Sequence, residues 1–190
     1  MLSEAVDAYG NDEFGAARRK LLKAKELSPR ASAVRELLGL SAYHSREWGE
    51  ALAELRAYRR LTGDTTHMPV EMDALRALGR GADVEKTWER FVGLGGNRPT
   101  SAEARVVYAS YLLDQGRAAD AWRVTNPSRI PHDAKPYELR VWFVAARAAL
   151  ALGEIPAAKQ LTEAIRRLDP DMTGLGDLMA GIATERRRRS

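Results

Sequence analysis

Apolar residues recur at intervals of three and four along almost the whole chain, in long stretches rich in alanine, leucine, arginine and glutamate. This spacing places them on one face of an α-helix and is typical of amphipathic helices packed on a core. Helix breakers interrupt the pattern at Ser-Pro 28–29, Gly-Asp 63–64, Gly-Gly 95–96, Asn-Pro 126–127 and Asp-Pro 169–170. Strand-like alternation is nearly absent, so the pattern predicts an all-α protein.

One short helical element is repeated along the chain, at spacings of roughly 34 to 37 residues. Each copy has a polar or glycine turn, a bulky residue and, three positions later, a small residue. The small residues are Ala17, Ala51, Thr87, Ala121 and Ala158, and the partners before them are Phe14, Trp48, Val84, Ala118 (a weak copy) and Ile155. A small residue lets two antiparallel helices cross closely, so we expect all five to be buried in stacked helix pairs.

These residues resemble the tetratricopeptide repeat (TPR). The best copy is LLGLSAY at 37–43, followed by Trp48, Ala51 and Leu55; its Leu38 and Gly39 match the family's Leu-Gly, and Tyr43 matches its tyrosine. The resemblance implies a right-handed α-solenoid of about five helix pairs. The third and fourth copies depart from the family pattern, and local irregularity is expected there.

The ends of the chain complete the predicted organisation. Residues 171–185 are expected to form a C-terminal helix that caps the fifth pair. We therefore predict one repeat domain over residues 1–185 and a basic tail over residues 186–190. The first helix has only about ten residues before its turn, so the chain is expected either to be cut from a longer one or to begin with a frayed helix.

Composition narrows the possible partners. The four arginines Arg186–Arg189 account for the whole formal net charge of +4, so a basic nucleic-acid-binding face is not expected. The chain has no cysteine, which removes disulfides and thiolate metal ligands. Its longest apolar run, at 141–146, is too short to span a membrane, and no signal peptide is visible. A cytoplasmic location is expected.

Known catalytic and cofactor patterns are not found in the sequence. His44, His67 and His132 lie in three different copies, without the spacing of metal ligands. The stretch GRGADVEKT at 79–87 resembles a phosphate loop, but Glu85 and Arg80 stand where that loop needs glycines. No nucleophile motif occurs. We therefore expect no enzyme activity, no cofactor and no metal.

The first helix of each pair would line a concave groove in a TPR-like array. Helical phase then directs a mixed set of aromatic, charged and apolar side chains toward a partner. The candidate binding residues are Tyr9, Glu36, Tyr43, His44, Met72, Arg76, Arg80, Asp114 and Arg147. Val6, Leu40, Val106 and Phe143 are apolar residues of the same phase. For Leu40, Val106 and Phe143 the alternative is that they fill the interior of the superhelix.

The predicted function is protein–protein interaction, with a peptide or partner helix that carries apolar anchors and an acidic group. Family members that grip chaperone C-termini use a lysine and asparagine pattern, and this chain has Glu36 and Leu40, or Val106 and Ser110, in those places. Chaperone tails are therefore not expected as partners. Two alternatives stay open: a regulatory or oligomerisation module of a larger protein, and a small-ligand binder or enzyme that uses the groove. A monomer or weak homodimer is expected.

Overall fold

The computed structural model describes residues 2–189, and this part of the chain forms eleven α-helices and no strand. The all-α prediction is confirmed. The helices are α1 (Leu2–Gly10), α2 (Phe14–Leu27), α3 (Ser32–His44), α4 (Trp48–Thr62), α5 (Met68–Ala77), α6 (Gly81–Leu94), α7 (Arg98–Asp114), α8 (Ala118–Thr125), α9 (Pro136–Leu152), α10 (Ile155–Leu168) and α11 (Leu175–Arg189). Contacts divide the chain into two compact units, unit 1 (Met1–Gly96) and unit 2 (Asn97–Ser190).

Unit 1 contains α1 to α6, and each of these helices packs on the next one in chain order. Helices α1 and α3 also touch, so α2 is not the only neighbour of either. At the N-terminal end the core is made of alanines and leucines of the first three helices, such as Ala5, Ala17 and Leu38. In α5, Met68 and Leu75 are also fully buried.

Unit 2 contains α7 to α11, with α9 at its centre. Helices α7, α8, α10 and α11 all pack on α9, which is lined with buried alanines and Trp142. The predicted C-terminal helix is confirmed as α11, which contributes Leu175, Leu178 and Ile182 to the core. It begins at Leu175 and continues through the basic run to Arg189, because arginine is a good helix former and the run itself contains no glycine or proline. The remainder of the predicted tail, Ser190, lies outside the described residues.

Five helix-to-helix turns share one backbone geometry. Each contains a residue with positive φ, between 60° and 76°: Asp12, Arg46, Gly79, Gly116 and Gly153. The amide of that residue donates to a carbonyl three positions back, and the following amide donates to a carbonyl five positions back at 2.8–2.9 Å. Two such bonds around a left-handed residue make the Schellman motif that ends many helices. The next helix begins two residues after the left-handed one, in every case.

This geometry confirms most of the predicted small-residue positions and corrects one. Ala17, Ala51, Ala121 and Ala158 each lie five positions after the left-handed residue and are fully buried. In the third copy that position, five after Gly79, is Val84, and Thr87 lies one helical turn further along. Thr87 is buried as expected, but it is not the equivalent of the four alanines. The turn sets the register of the helix that follows it. Because the third copy has valine at this position, the spacing of small side chains does not identify the equivalent residue.

Gly39 marks a close helix crossing in unit 1. A Cβ atom added there would lie 2.7 Å from side-chain carbons of Leu55, which is shorter than real carbon contacts allow. Helices α3 and α4 therefore approach each other through a glycine.

Within residues 2–189, no helix combines the length and the apolar character needed to cross a lipid bilayer.

Candidate functional site

Five ring side chains from four helices form a continuous chain of contacts in unit 1, here called the aromatic cluster: Tyr9, Phe14, Tyr43, His44 and Trp48. Tyr9 meets Phe14 edge-on, with ring centroids 5.4 Å apart. Tyr43 meets Trp48 at the same distance of 5.4 Å and nearly the same angle, 68° against 70°. His44 stacks on Phe14 at 4.4 Å and touches Tyr43 at 5.6 Å, and so connects the two pairs.

The repeated turn explains why these rings meet. Tyr9 and Tyr43 lie in the last turn of α1 and α3, while Phe14 and Trp48 are the first residues of α2 and α4. Because the two turns have the same geometry, each brings its tyrosine and the ring that follows it together in the same way. The aromatic cluster is therefore two copies of one local arrangement, joined by His44.

Helix α5 holds the cluster at its Tyr43 end. The hydroxyl of Tyr43 donates to Oδ2 of Asp73 at 2.6 Å, and Nη1 of Arg76 donates to Oδ1 of the same carboxylate at 3.0 Å. One carboxylate thus fixes both the phenol and the guanidinium. The side chain of Arg76 remains 36% exposed, so its charge lies at the surface beside the rings.

A second polar network lies near Glu36. Nε2 of His67 is 2.7 Å from Oε1 of Glu36, and the His67 ring packs against Tyr58. Burial, followed by the hydrogen bond to Asp64, raises the pKa of Tyr58 to about 12. Burial, then the charges of Asp12 and Glu36, raise the pKa of Tyr9 as well. Both phenols stay protonated at neutral pH, and that of Tyr58 donates a hydrogen bond to Oδ2 of Asp64 at 2.9 Å.

The structure brings several of the predicted binding residues together. Tyr9, Tyr43 and His44 belong to the aromatic cluster, Arg76 joins them through Asp73, and the charge of Glu36 acts on Tyr9. Two further residues of unit 1 have other roles. Met72 is fully buried, so it contributes to the core instead of the surface. Arg80 is exposed at the start of α6, where it pairs with Asp83.

The two predicted residues of unit 2 are both exposed. Asp114 is the last residue of α7, and Arg147 lies in α9. The groove residue Phe143 is partly buried and packs closely against Gly174, the residue before α11. Phe143 therefore packs against the chain that leads into α11, and its expected place in a groove stays a prediction.

Sequence reasoning missed three members of this site. The repeat pattern identifies Phe14 and Trp48 only as the bulky partners of the small residues, although both are partly exposed and belong to the aromatic cluster. Asp73, which organises Tyr43 and Arg76, was not identified. The available signal was the equal offset of Tyr9 from Phe14 and of Tyr43 from Trp48.

The aromatic cluster and its neighbours combine two kinds of chemical group. Half-buried rings present apolar faces, and the neighbouring carboxylates and guanidinium present hydrogen-bonding groups with fixed positions. Across the described residues, no group of three or more histidine, aspartate or glutamate side chains is placed to hold a metal ion.

No protein-family model and no curated protein matches the chain.

Proposed function

We propose that unit 1 is a protein-interaction module that binds a peptide segment or partner helix over the aromatic cluster. The single observation that carries this proposal is the continuous chain of five rings, fixed at one end by Asp73. Tyrosine, tryptophan and arginine are the residues that contribute most binding energy at protein interfaces. Rings that are already held in place lose little conformational freedom on binding, which favours affinity.

The charges indicate the kind of peptide. Arg76 provides a partly exposed cation beside Tyr43, and an acidic side chain or chain terminus can pair with its guanidinium. Apolar side chains of the same peptide would pack on Tyr9, His44 and Trp48. The proposed ligand is therefore a segment with one or two apolar anchors followed or preceded by an acidic group.

The resemblance to TPR proteins agrees with this proposal. Tyr9, Tyr43 and Arg76 lie on α1, α3 and α5, the first helices of their pairs, which line the binding groove in a TPR-like array. The TPR-like solenoid, the cytoplasmic location and the monomer or weak homodimer remain predictions.

Selection of peptides from a random display library on the immobilised full chain tests the proposal. Selected peptides are expected to share an apolar anchor and an acidic residue. Tyr43→Ala and Arg76→Glu are each expected to weaken binding at least about tenfold, which corresponds to about 1.4 kcal/mol. Tyr43→Phe keeps the ring and loses the bond to Asp73, so an intermediate loss is expected.

Arg19→Glu provides the matched control. Arg19 is an exposed arginine of α2 in the same unit, outside the aromatic cluster, and its replacement makes the same change of charge as Arg76→Glu. Binding should survive it. Peptides that bind equally well to wild type, Tyr43→Ala and Arg76→Glu would show that the aromatic cluster is not the binding surface.

A further inference from the structure

A pocket between α4 and α6 of unit 1 is lined by five cationic side chains and only two acidic ones, and is here called the basic pocket. Its space is about 640 Å³. The lining residues are Arg56, Arg59 and Arg60 of α4, and Asp83, Lys86, Thr87, Glu89 and Arg90 of α6. Residues four apart share a helix face, so Arg56 and Arg60 on one helix confront Lys86 and Arg90 on the other.

A buried carboxylate organises one side of this pocket. Glu71 of α5 is fully buried and accepts hydrogen bonds from Nε and Nη2 of Arg59, at 2.9 and 3.1 Å. Nε of Arg56 lies 3.6 Å from the same carboxylate. Glu71 therefore fixes the position of two guanidinium groups while it carries only one negative charge, and an excess of positive charge remains.

The acidic residues of the lining do not remove that excess. Asp83 is paired with Arg80, whose guanidinium lies within 2.6 Å of the carboxylate. The hydrogen bond from Arg80, followed by the charges of Arg80, Lys86 and Arg56, lowers the pKa of Asp83. Arg60, Lys86 and Arg90 are exposed, and none of them forms a salt bridge with another described residue. Within the lining, Glu89 is the other acidic side chain, so two carboxylates face five cations.

We propose that the basic pocket binds a compact anion made of several linked phosphate groups. Like charges held close together repel, and a bound polyanion would replace that repulsion with attraction. Arginine forks match the oxygens of phosphate in a bidentate manner, and lysine adds a mobile point charge. The pocket is formed by different side chains from the aromatic cluster, so this proposal does not depend on the peptide-binding function.

Calorimetric titration of the full chain with inorganic tripolyphosphate, at about physiological ionic strength, is the direct test. We expect saturable binding that weakens as salt is added. The triple variant Arg60→Gln, Lys86→Gln and Arg90→Gln should lose at least about tenfold in affinity. Glutamine has a helix propensity close to that of lysine and arginine, and mutual repulsion is removed, so the thermal midpoint of this variant should not fall.

The chain offers a control with the same composition. Arg19, Lys23 and Arg30 are exposed cations elsewhere in unit 1, and their replacement by glutamine also removes two arginines and one lysine. This control triple should keep the affinity of the wild type. Equal losses in both triples would mean attraction by net charge alone and would overturn the proposal, as would an absence of heat with the wild type.

Two further titrations identify the source of the phosphates. Equal affinity for tripolyphosphate and for a nucleoside triphosphate would mean that the protein recognises the phosphate chain alone. Tighter binding of the nucleotide would mean that its base is recognised as well. Short polyglutamate is the competing class. If it binds as tightly as tripolyphosphate and the same triple variant abolishes its binding, the pocket selects acidic peptides and the phosphate assignment is wrong.

Discussion

At the scale of single residues, the five equivalent turns place very different side chains in one backbone conformation. Glycine accepts a positive φ without steric cost, whereas an arginine in the left-handed region pays about 1 kcal/mol. Arg46, with φ of 61°, is therefore the least suited residue among the five. Asp12 is in the same region, but aspartate tolerates it better than arginine because its short polar side chain bonds locally.

Two substitutions in these turns should change stability in opposite directions. Arg46→Gly should raise the free energy of unfolding by about 0.5–1 kcal/mol. Glycine relieves the strain in the folded state, and its larger conformational entropy in the unfolded chain offsets part of that gain. Gly116→Ala should lower it by about 1 kcal/mol through backbone strain alone, since an added Cβ there meets no atom within 4 Å. Urea unfolding followed by circular dichroism measures both. A loss of stability in Arg46→Gly would refute the proposed strain.

Residue-level prediction worked where the physical cause was local. The burial of Ala17, Ala51, Ala121 and Ala158 follows from helical phase and side-chain size, and the sequence contains both. The burial of Met72 could not be derived in that way. Helix α5 contacts both α4 and α6, so its buried residues cover more of the helix surface than the single face of an amphipathic helix. The partnership of Asp73 with Tyr43 joins residues 30 positions apart and depends on how two helices are set against each other.

At the scale of helices, two buried carboxylates connect neighbouring elements. Glu54 of α4 accepts from Lys25 of α2 and Arg35 of α3, both at 2.6 Å, and so joins three helices. Glu71 of α5 holds α4 through Arg59 and Arg56. Removing one partner from a buried pair is costly because the other charge loses its compensation.

Glu71→Gln should therefore destabilise unit 1. The amide keeps the size of the side chain but removes its charge, and the two arginines are partly exposed, which limits the loss to about 2 kcal/mol. Glu103→Gln is the matched control. Glu103 pairs with Arg140 at 2.8 Å on the surface, where such pairs contribute at most about 1 kcal/mol. Chemical unfolding of both variants gives the comparison, and equal losses would contradict a structural role for Glu71.

Helix boundaries were predictable where turns carry glycine, proline or a polar cluster. Helix α11 was extended beyond its predicted end because a run of arginines has no intrinsic reason to stop a helix. The register of the third copy failed for another reason. Val84 and Thr87 both lie on the buried face of α6, and periodicity alone cannot decide which of them matches the alanines of the other copies.

At the scale of the whole molecule, each unit has a core of its own. The core of unit 1 includes Leu21 and Leu38, and the core of unit 2 is built around Trp142 and Ile165. The segment 92–99, which covers the end of α6, the connection and the start of α7, is exposed throughout. Each unit therefore contains a buried apolar cluster built from its own residues.

Expressed separately, the fragments Met1–Gly96 and Asn97–Ser190 should each fold. Their far-ultraviolet circular dichroism signals should add up to nearly that of the intact chain. Division in the turn between α3 and α4 is the control, because it separates Gly39 from Leu55 and breaks a tight crossing. Those control fragments should lose much of their helical signal. An unfolded Met1–Gly96 or Asn97–Ser190 fragment would contradict the independence of the two cores.

The shared geometry of the turns at Asp12 and Arg46 has a consequence for how such a protein changes over evolutionary time. A segment of the chain that begins at one of these turns and ends at the next has the same backbone geometry at both ends. If such a segment is duplicated or deleted, the remaining helices keep their register, and each keeps the same face buried. The gene can therefore gain or lose whole segments that run from one such turn to the next, whereas an insertion of any other length has to be accommodated in a loop.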